Sequence, residues 1–199
     1  FQIDLAPSLH PSIGVMMNLT PDHIDRHGTV EAYAAIKQRL VAAADLAVIG
    51  IDDDFSAAMA AARDAAGKPS IRVSVRTVLD NGLHADGAKI IFAHNRNRIE
   101  AANLSGISSL RGRHNAQNAA AAIAVATSLG VSGDVLRSGL ASFGGLHHRM
   151  EEIGRVGSVL FINDSKATNA DSTEKALTSF DRNIYWILGG KAKEGGIEM

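Results

Sequence analysis

No cysteine occurs among the 199 residues, which excludes a disulfide framework, a thiolate zinc site and a cysteine nucleophile at once. A reducing compartment fits that absence, and the cytoplasm is the expected location. Net charge is also nearly absent: 20 Lys and Arg stand against 21 Asp and Glu, a formal charge of −1. No global positive field exists to hold nucleic acid or an anionic membrane, so any anion site must be local. No apolar run reaches the ~18 residues of a membrane span. The stretch from Phe1 to Leu40 lacks the basic flank and apolar block of a signal peptide. Two phosphate signatures are missing as well. Of the Gly-Lys pairs, Gly67-Lys68-Pro69 and Gly190-Lys191-Ala192 lack the upstream Gly and downstream hydroxyl of a P-loop, and no G-x-G-x-x-G follows a strand. There is no internal repeat, and the only compositional bias is mild alanine enrichment in helices.

What is present reads as a globular chain, with 46% hydrophobic and 21% charged residues. Its length suits one domain and part of another. Ile13-Gly14-Val15-Met16-Met17 is too short an apolar run for a helix and reads as a buried strand. Thr29 caps a helix whose Tyr33, Ile36, Leu40 and Val41 recur at helical spacing to about Ala44. A strand over Leu46 to Ile51, a helix over Phe55 to Ala66 closed by Gly67, and a strand over Ile71 to Val75 continue a β-α-β-α alternation. Ala88 to Leu104 suggests two strands joined around Asn95-Arg96-Asn97, an antiparallel appendage. A helix from about Asn115 to Leu129 ends at Gly130, and Ser132 caps another running to Phe143. Gly144-Gly145 breaks the pattern.

A domain boundary is expected near residues 145–157, dividing 1–146 from 147–199. Beyond it, Val159 to Ile162 reads as a buried strand, Ser172 to Phe180 as a helix and Ile184 to Leu188 as a strand, together one β-α-β unit. About fifty residues and two strands are too few to cover a parallel sheet on both faces, so the second domain is expected to be truncated. A start at Phe1 without Met agrees with a fragment.

Four clusters carry chemistry. Asn18-Leu19-Thr20-Pro21-Asp22-His23-Ile24-Asp25-Arg26-His27 follows a predicted strand, where ligands bind in open α/β sheets. Its Asp22, His23, Asp25 and His27 suit Mg²⁺ or Mn²⁺ better than structural zinc, the alternative being a polar turn with a capping Asp. Lys37, ten residues after His27 on the next helix, either aims back at this loop or is a solvated helix lysine. Arg111-Gly112-Arg113-His114-Asn115-Ala116-Gln117-Asn118 opens a helix, whose free N–H groups and flanking Arg residues make an anion site; Asn115 and Asn118 share a face able to read a base edge. Ordinary capping with solvated arginines is the alternative. Asn163-Asp164-Ser165-Lys166-Ala167-Thr168-Asn169 packs carboxylate, hydroxyl, ammonium and amide into a strand-to-helix loop, behind His147-His148-Arg149-Met150-Glu151 in the linker. Gly189-Gly190-Lys191-Ala192-Lys193 offers close backbone approach followed by lysines, or a mobile surface loop. These residues alone imply an α/β protein with an anion or metal site between two domains.

Taken together, Phe1-Gln2, Asn18 to Arg26, Tyr33 with Lys37, Gly112 to Asn115 with Asn118, His148-Arg149 and Asp164 to Asn169 resemble the Mur ligases, in collinear order over nearly the whole chain. The Asn163 to Asn169 run is most similar to the D-glutamate-adding branch. The resemblance implies an α/β fold: a Mur ligase central domain, with a mostly parallel sheet flanked by helices and a small antiparallel part, plus the start of a Rossmann-like C-terminal domain. It implies a cytoplasmic, monomeric, ATP- and Mg²⁺-dependent amide-bond ligase of peptidoglycan synthesis, acting on UDP-N-acetylmuramoyl-L-alanine and D-glutamate through an acyl phosphate. It implies no nucleic-acid partner and no membrane insertion. His23 is similar to the family's Mg²⁺ ligand and Lys37 to its carbamylated lysine, a modification that removes the repulsion between a lysine and a cation. Asn115 and Asn118 resemble nucleotide contacts, Arg149 a phosphate contact and Asp164 a ribose contact, the last two acting after domain closure. Lys166, Thr168 and Lys193 resemble the groups that hold D-glutamate carboxylates and phosphate oxygens, with Lys191 close enough to compete for the role of Lys193.

Against the family pattern, the N-terminal UDP-binding domain, the P-loop, the metal-binding Glu ahead of Phe1 and most of the C-terminal domain are missing. The 199 residues alone are therefore expected not to catalyse the reaction, and ATP turnover equal to that of a full-length enzyme would contradict this. Alternative readings are a sister Mur ligase or a folylpolyglutamate synthase-like ligase, a metal-dependent phosphohydrolase built on Asp22, His23, Asp25 and His27, and a non-catalytic nucleotide-binding module.

Overall fold

The computed structural model describes residues 2–190. A one-turn helix α1 (Gln2–Leu5) precedes β1 (Ile13–Met16), the one-turn α2 (Ile24–His27) and α3 (Val30–Ala43). Next come β2 (Leu46–Gly50), α4 (Asp54–Ala65), β3 (Ser70–Ser74), β4 (Gly82–Asp86), β5 (Lys89–His94) and β6 (Asn97–Asn103). A 3₁₀ turn (Ser108–Leu110) leads into α5 (Arg113–Ser128), α6 (Gly133–Ser142), β7 (Glu151–Val156), β8 (Val159–Asn163) and α7 (Ala170–Leu177).

β1 to β6 form one sheet in sequential order, parallel from β1 to β4 and antiparallel from β4 to β6. Its register sets Val15 beside Val48 and Val48 beside Ile71. The all-apolar sequence of β2 follows from burial on both faces. Ala47 and Ile49 pack with Ala34 and Val41 of α3 and with Met59 and Ala60 of α4, whereas Val48 and Val73 meet the alanine face of α5 on the other side. Alanines there let α5 lie close to the strands.

Capping explains where two helices start. Thr29 is extended (φ −136°) and its Oγ1 accepts the Ala32 N–H at 3.1 Å, as expected from sequence. Asp53 does the same for α4, accepting the Ser56 N–H at 2.9 Å. Arg63 of α4, 3% exposed, donates to the carbonyls of Val41, Ala44, Asp45 and Pro69. It thereby ties the C-terminus of α3 to the entries of β2 and β3.

Several expectations are corrected. β4 stands where no strand was expected, because buried His84 hides its alternation. Ser132 is at the N-cap of α6, yet its side chain makes no capping bond. β8 is not a buried strand leading into a β-α-β unit: it pairs antiparallel with β7, and Val159 and Phe161 are exposed. Ile184 to Leu188 form no strand; among the described residues nothing pairs with them, and Tyr185 and Ile187 are almost fully exposed. An apolar run becomes a strand only where a neighbour offers hydrogen bonds and cover.

Candidate functional site

β1, β2 and β3 all end on one edge of the sheet, where open α/β sheets bind their ligands. The loop after β1 carries Asn18 and reaches His23, whose backbone is left-handed (φ 55°) and whose carbonyl accepts the N–H groups of Arg26 and His27. Asp22 Oδ1 accepts the His23 N–H at 3.0 Å, and its Oδ2 lies 3.6 Å from His23 Nε2. Arg26 is anchored by Asp4 of α1 at 2.7 Å, and Arg39 of α3 lies 3.9 Å from the same carboxylate, so Asp4 links α1 to both α2 and α3.

Lys37 lies over an aromatic side chain of its own helix. Its Nζ sits 5.0 Å from the Tyr33 ring centroid, and Tyr33 packs against His27 at 5.2 Å. No hydrogen bond joins Lys37 to His23 among the described residues. Nor do Asp22, His23, Asp25 and His27 make a metal cluster: no three His, Asp or Glu side chains of the described residues are grouped to hold an ion. Only Asp22 and His23 adjoin there, a carboxylate and an imidazole 3.6 Å apart.

α5 begins at Gly112, whose positive φ of 91° suits glycine and where a Cβ would strike the Ser179 hydroxyl after α7. Asn115 Nδ2 donates to the Arg111 carbonyl at 2.8 Å, and Asn118 Nδ2 to Asn115 Oδ1 at 3.2 Å, so these two side chains adjoin as their spacing implies. His114 is held below the ordinary histidine range first by burial and then by the nearby Lys175 ammonium, with Asp164 opposing. Arg111 reaches Glu152 of β7 at 3.3 Å and lies over the Phe180 ring at 4.8 Å. The start of α5 therefore meets β7, α7 and the Asp164 loop.

The linker is fastened to that loop. Asp164 Oδ1 accepts the Met150 N–H at 3.0 Å, and the Lys166 N–H donates to the His148 carbonyl at 3.0 Å. Arg149 is thus set beside Asp164 in the backbone, while the side chains of Arg149, Lys166 and Thr168 are exposed. Glu151 takes the His148 N–H and pairs with His147 at 2.7 Å, and these two contacts hold its carboxyl below the usual range. Asn169 caps α7 through a reciprocal pair with Ser172. Phe1, Lys191 and Lys193 lie outside the described residues.

Sequence reasoning passed over Gln117 and Asp52. Gln117 is only 6% exposed on an otherwise apolar face of α5. A lone amide within an alanine-rich helical face was the available signal.

Comparison with known proteins agrees with this geometry. The family described as the Mur ligase middle domain matches residues 2–126, more than half of the chain. The UDP-N-acetylmuramoylalanine--D-glutamate ligase of Brucella abortus is 57% identical over 197 residues, 99% of this chain and 42% of the relative. The ligase of the same name from Rhizobium johnstonii is 55% identical over the same shares. The chain therefore spans less than half the length of these curated relatives. MurF from Acinetobacter baumannii superposes with a TM-score of 0.67 at 24% identity, over 89% of this chain and 39% of that one, a likeness of fold. A parallel sheet with an antiparallel extension, its loops gathered at one edge, and a matching middle domain have one common explanation: the chain belongs to the Mur ligase family.

Proposed function

We propose that this chain is the ATP-binding part, residues 1–146, and the opening of the amino-acid-binding part, residues 147–199, of a ligase that joins D-glutamate to UDP-N-acetylmuramoyl-L-alanine. The observation that carries the reading is the collinear 57% identity with a ligase of that name over 99% of the chain. The geometry supports it: Asn115 and Asn118 adjoin on α5, and the Asp164 carboxylate lies near enough to His114, in the first turn of the same helix, to oppose the lowering of its pKa. Peptidoglycan synthesis in the cytoplasm by a monomeric enzyme belongs to the same proposal.

A carboxylate is a poor electrophile, so the substrate's terminal carboxylate must first gain a leaving group. One of its oxygens takes the γ-phosphoryl of ATP, giving an acyl phosphate and ADP. The amine of D-glutamate then attacks the carbonyl carbon, and the tetrahedral intermediate collapses with loss of phosphate. Asn115 and Asn118 would meet the base of ATP, Asp164 its ribose and Arg149 its phosphates, as the resemblance to the family implies. Lys166, Thr168 and Lys193 hold the amino acid's carboxylates and the phosphoryl oxygens, and the lysines offset the charge that grows there.

The donor set fits Mg²⁺ only as a partial shell: His23 is exposed and lacks two acidic neighbours, which suits a cation that keeps waters and substrate phosphates as ligands. His23 would hold the ion, with Lys37 supporting it as a carbamate. When bound, the ion supplies charge neutralisation at the phosphates.

The test is phosphate release by this sequence extended to the length of its relatives, given ATP, Mg²⁺ and UDP-N-acetylmuramoyl-L-alanine. Release that depends on D-glutamate is expected. Dependence on L-lysine or diaminopimelate instead would place the chain in a sister branch, and independence from any amino acid would overturn the ligase reading.

A further inference from the structure

Beneath the candidate site lies a polar strut that none of the assigned roles uses. Gln117 is 6% exposed, among buried Ala116, Ala119, Ala120 and Ala121. A buried amide persists in such surroundings only when its donors and acceptor are matched. Its Oε1 accepts from Asn18 Nδ2 at 3.2 Å, and its Nε2 donates to the Met17 carbonyl at 3.3 Å and to Asp52 Oδ2 at 3.4 Å. With two oxygens facing one end, that end must be the amide nitrogen, so the side chain has a single satisfactory orientation. Asp52 continues the line: its carboxylate accepts the Ser74 hydroxyl at 2.5 Å and the Val75 N–H at 2.8 Å. One connected chain of hydrogen bonds thus crosses the ends of β1, β2 and β3 and finishes on α5. Gly50 makes room for it, since a Cβ there would collide with the Met17 carbonyl oxygen and press on Gln117 Nε2 at 3.0 Å.

We propose that Gln117, seated on Asp52, is a positioning residue that sets the loop bearing His23 relative to the nucleotide face of α5. Its partner Asn18 opens that loop, and Asn115 and Asn118 flank it in sequence on the same helix. Both ends of the strut therefore sit next to groups assigned to different ligands, the cation and the base. Loosening it shifts one against the other, and reaction geometry is sensitive to displacements of that size. The inference rests on the proposed ligase reading for its kinetic consequence alone.

The experiment uses the sequence at the length of its relatives, as wild type, Gln117→Glu, Asn18→Ala and the double variant. A carboxylate at 117 faces the Met17 carbonyl and Asp52 with no donor, so it reverses the contact without changing size. Gln117→Glu is expected to speed hydrogen exchange at residues 18–27 by about tenfold, leaving 46–50 unchanged, and to raise the ATP KM and the half-saturating Mg²⁺ concentration by about fivefold or more, while the D-glutamate KM stays within about twofold. Asn18→Ala, exposed and compatible with folding, is expected to act in the same direction, and the double variant to add little to either. Exchange and constants within about twofold of wild type in both single variants would overturn the proposal, as would a uniform change across all substrates and all strands. Should Gln117→Glu fail to fold, Asn18→Ala decides by the same criteria. A wild-type protein without D-glutamate-dependent phosphate release would defeat the functional reading, and the exchange measurement would still judge the strut.

Discussion

Replacing Arg63 by Met tests the packing logic most severely. The guanidinium is 3% exposed and donates to four carbonyls: Val41 at 2.5 Å, Ala44 at 3.0 Å, Asp45 at 3.1 Å and Pro69 at 2.7 Å. Val41 lies in the last turn of α3 and Ala44 is its C-cap, where carbonyls lack helical partners and the helix dipole favours a cation. Each bond to a charged donor is worth about 1.5–3 kcal/mol, but burying the guanidinium costs several kcal/mol, and Nε finds no partner among the described residues. Met restores the apolar volume and leaves four carbonyls under-satisfied. The balance gives an expected loss of about 3–5 kcal/mol in urea unfolding, or a fall in Tm of roughly 6–20 °C for a chain of this size. Arg63→Lys keeps the charge without the planar fork, so its loss should fall between wild type and Met. A loss below about 1 kcal/mol for Arg63→Met would refute the reasoning, showing that water or relaxation replaces the clamp.

Further outcomes follow from the same structure. Gly50→Ala, which drives a Cβ into the Met17 carbonyl, should cost about 2–3 kcal/mol by denaturant titration. Asp53→Ala removes the cap of α4 and the acceptor of the Leu19 N–H, with an expected loss of about 1–2 kcal/mol by the same titration. His84 is buried and held below the ordinary histidine value of 6.5 by burial and then Arg98, so the unfolded chain binds its proton more readily. Its stability contribution is present above that value and is lost as pH falls through it toward the lower folded value; His84→Gln should flatten this acid limb in part, His114 adding a slope of the same sign. Lys166→Ala should raise the KM for D-glutamate far more than that for ATP in the full-length ligase, and equal changes would remove Lys166 from the amino-acid pocket.

Strands β1 to β3 and helices α3 to α5 were legible from apolar period and from end signals such as Thr29, Gly67 and Gly130, as with the unbroken Leu46 to Gly50 run. β4 was hidden because a buried histidine stands where alternation requires an apolar residue. β7, with most of its residues exposed and two adjacent glutamates, carries no core-facing pattern and is defined by its partner β8. Residues 184–188 show the converse, since apolar character cannot say whether a neighbouring strand is there. In the site, Asn115 and Asn118 could be paired from their spacing, whereas Gln117 looks solvated until the phase of α5 against the sheet is known. Around His23 the spacing of acidic and imidazole residues left a ligand set and a polar turn both open, because spacing along a chain does not encode direction through a left-handed residue.

The most direct measurement follows the substrate's own oxygen. UDP-N-acetylmuramoyl-L-alanine labelled with heavy oxygen in its terminal carboxylate is incubated with ATP, Mg²⁺, D-glutamate and the full-length ligase, and the released phosphate is analysed by mass. The ligase account predicts one labelled oxygen in each phosphate released, matched by one amide bond formed. Unlabelled phosphate alongside amide formation would contradict the acyl-phosphate route, and labelled or unlabelled phosphate without D-glutamyl product would contradict the assignment itself.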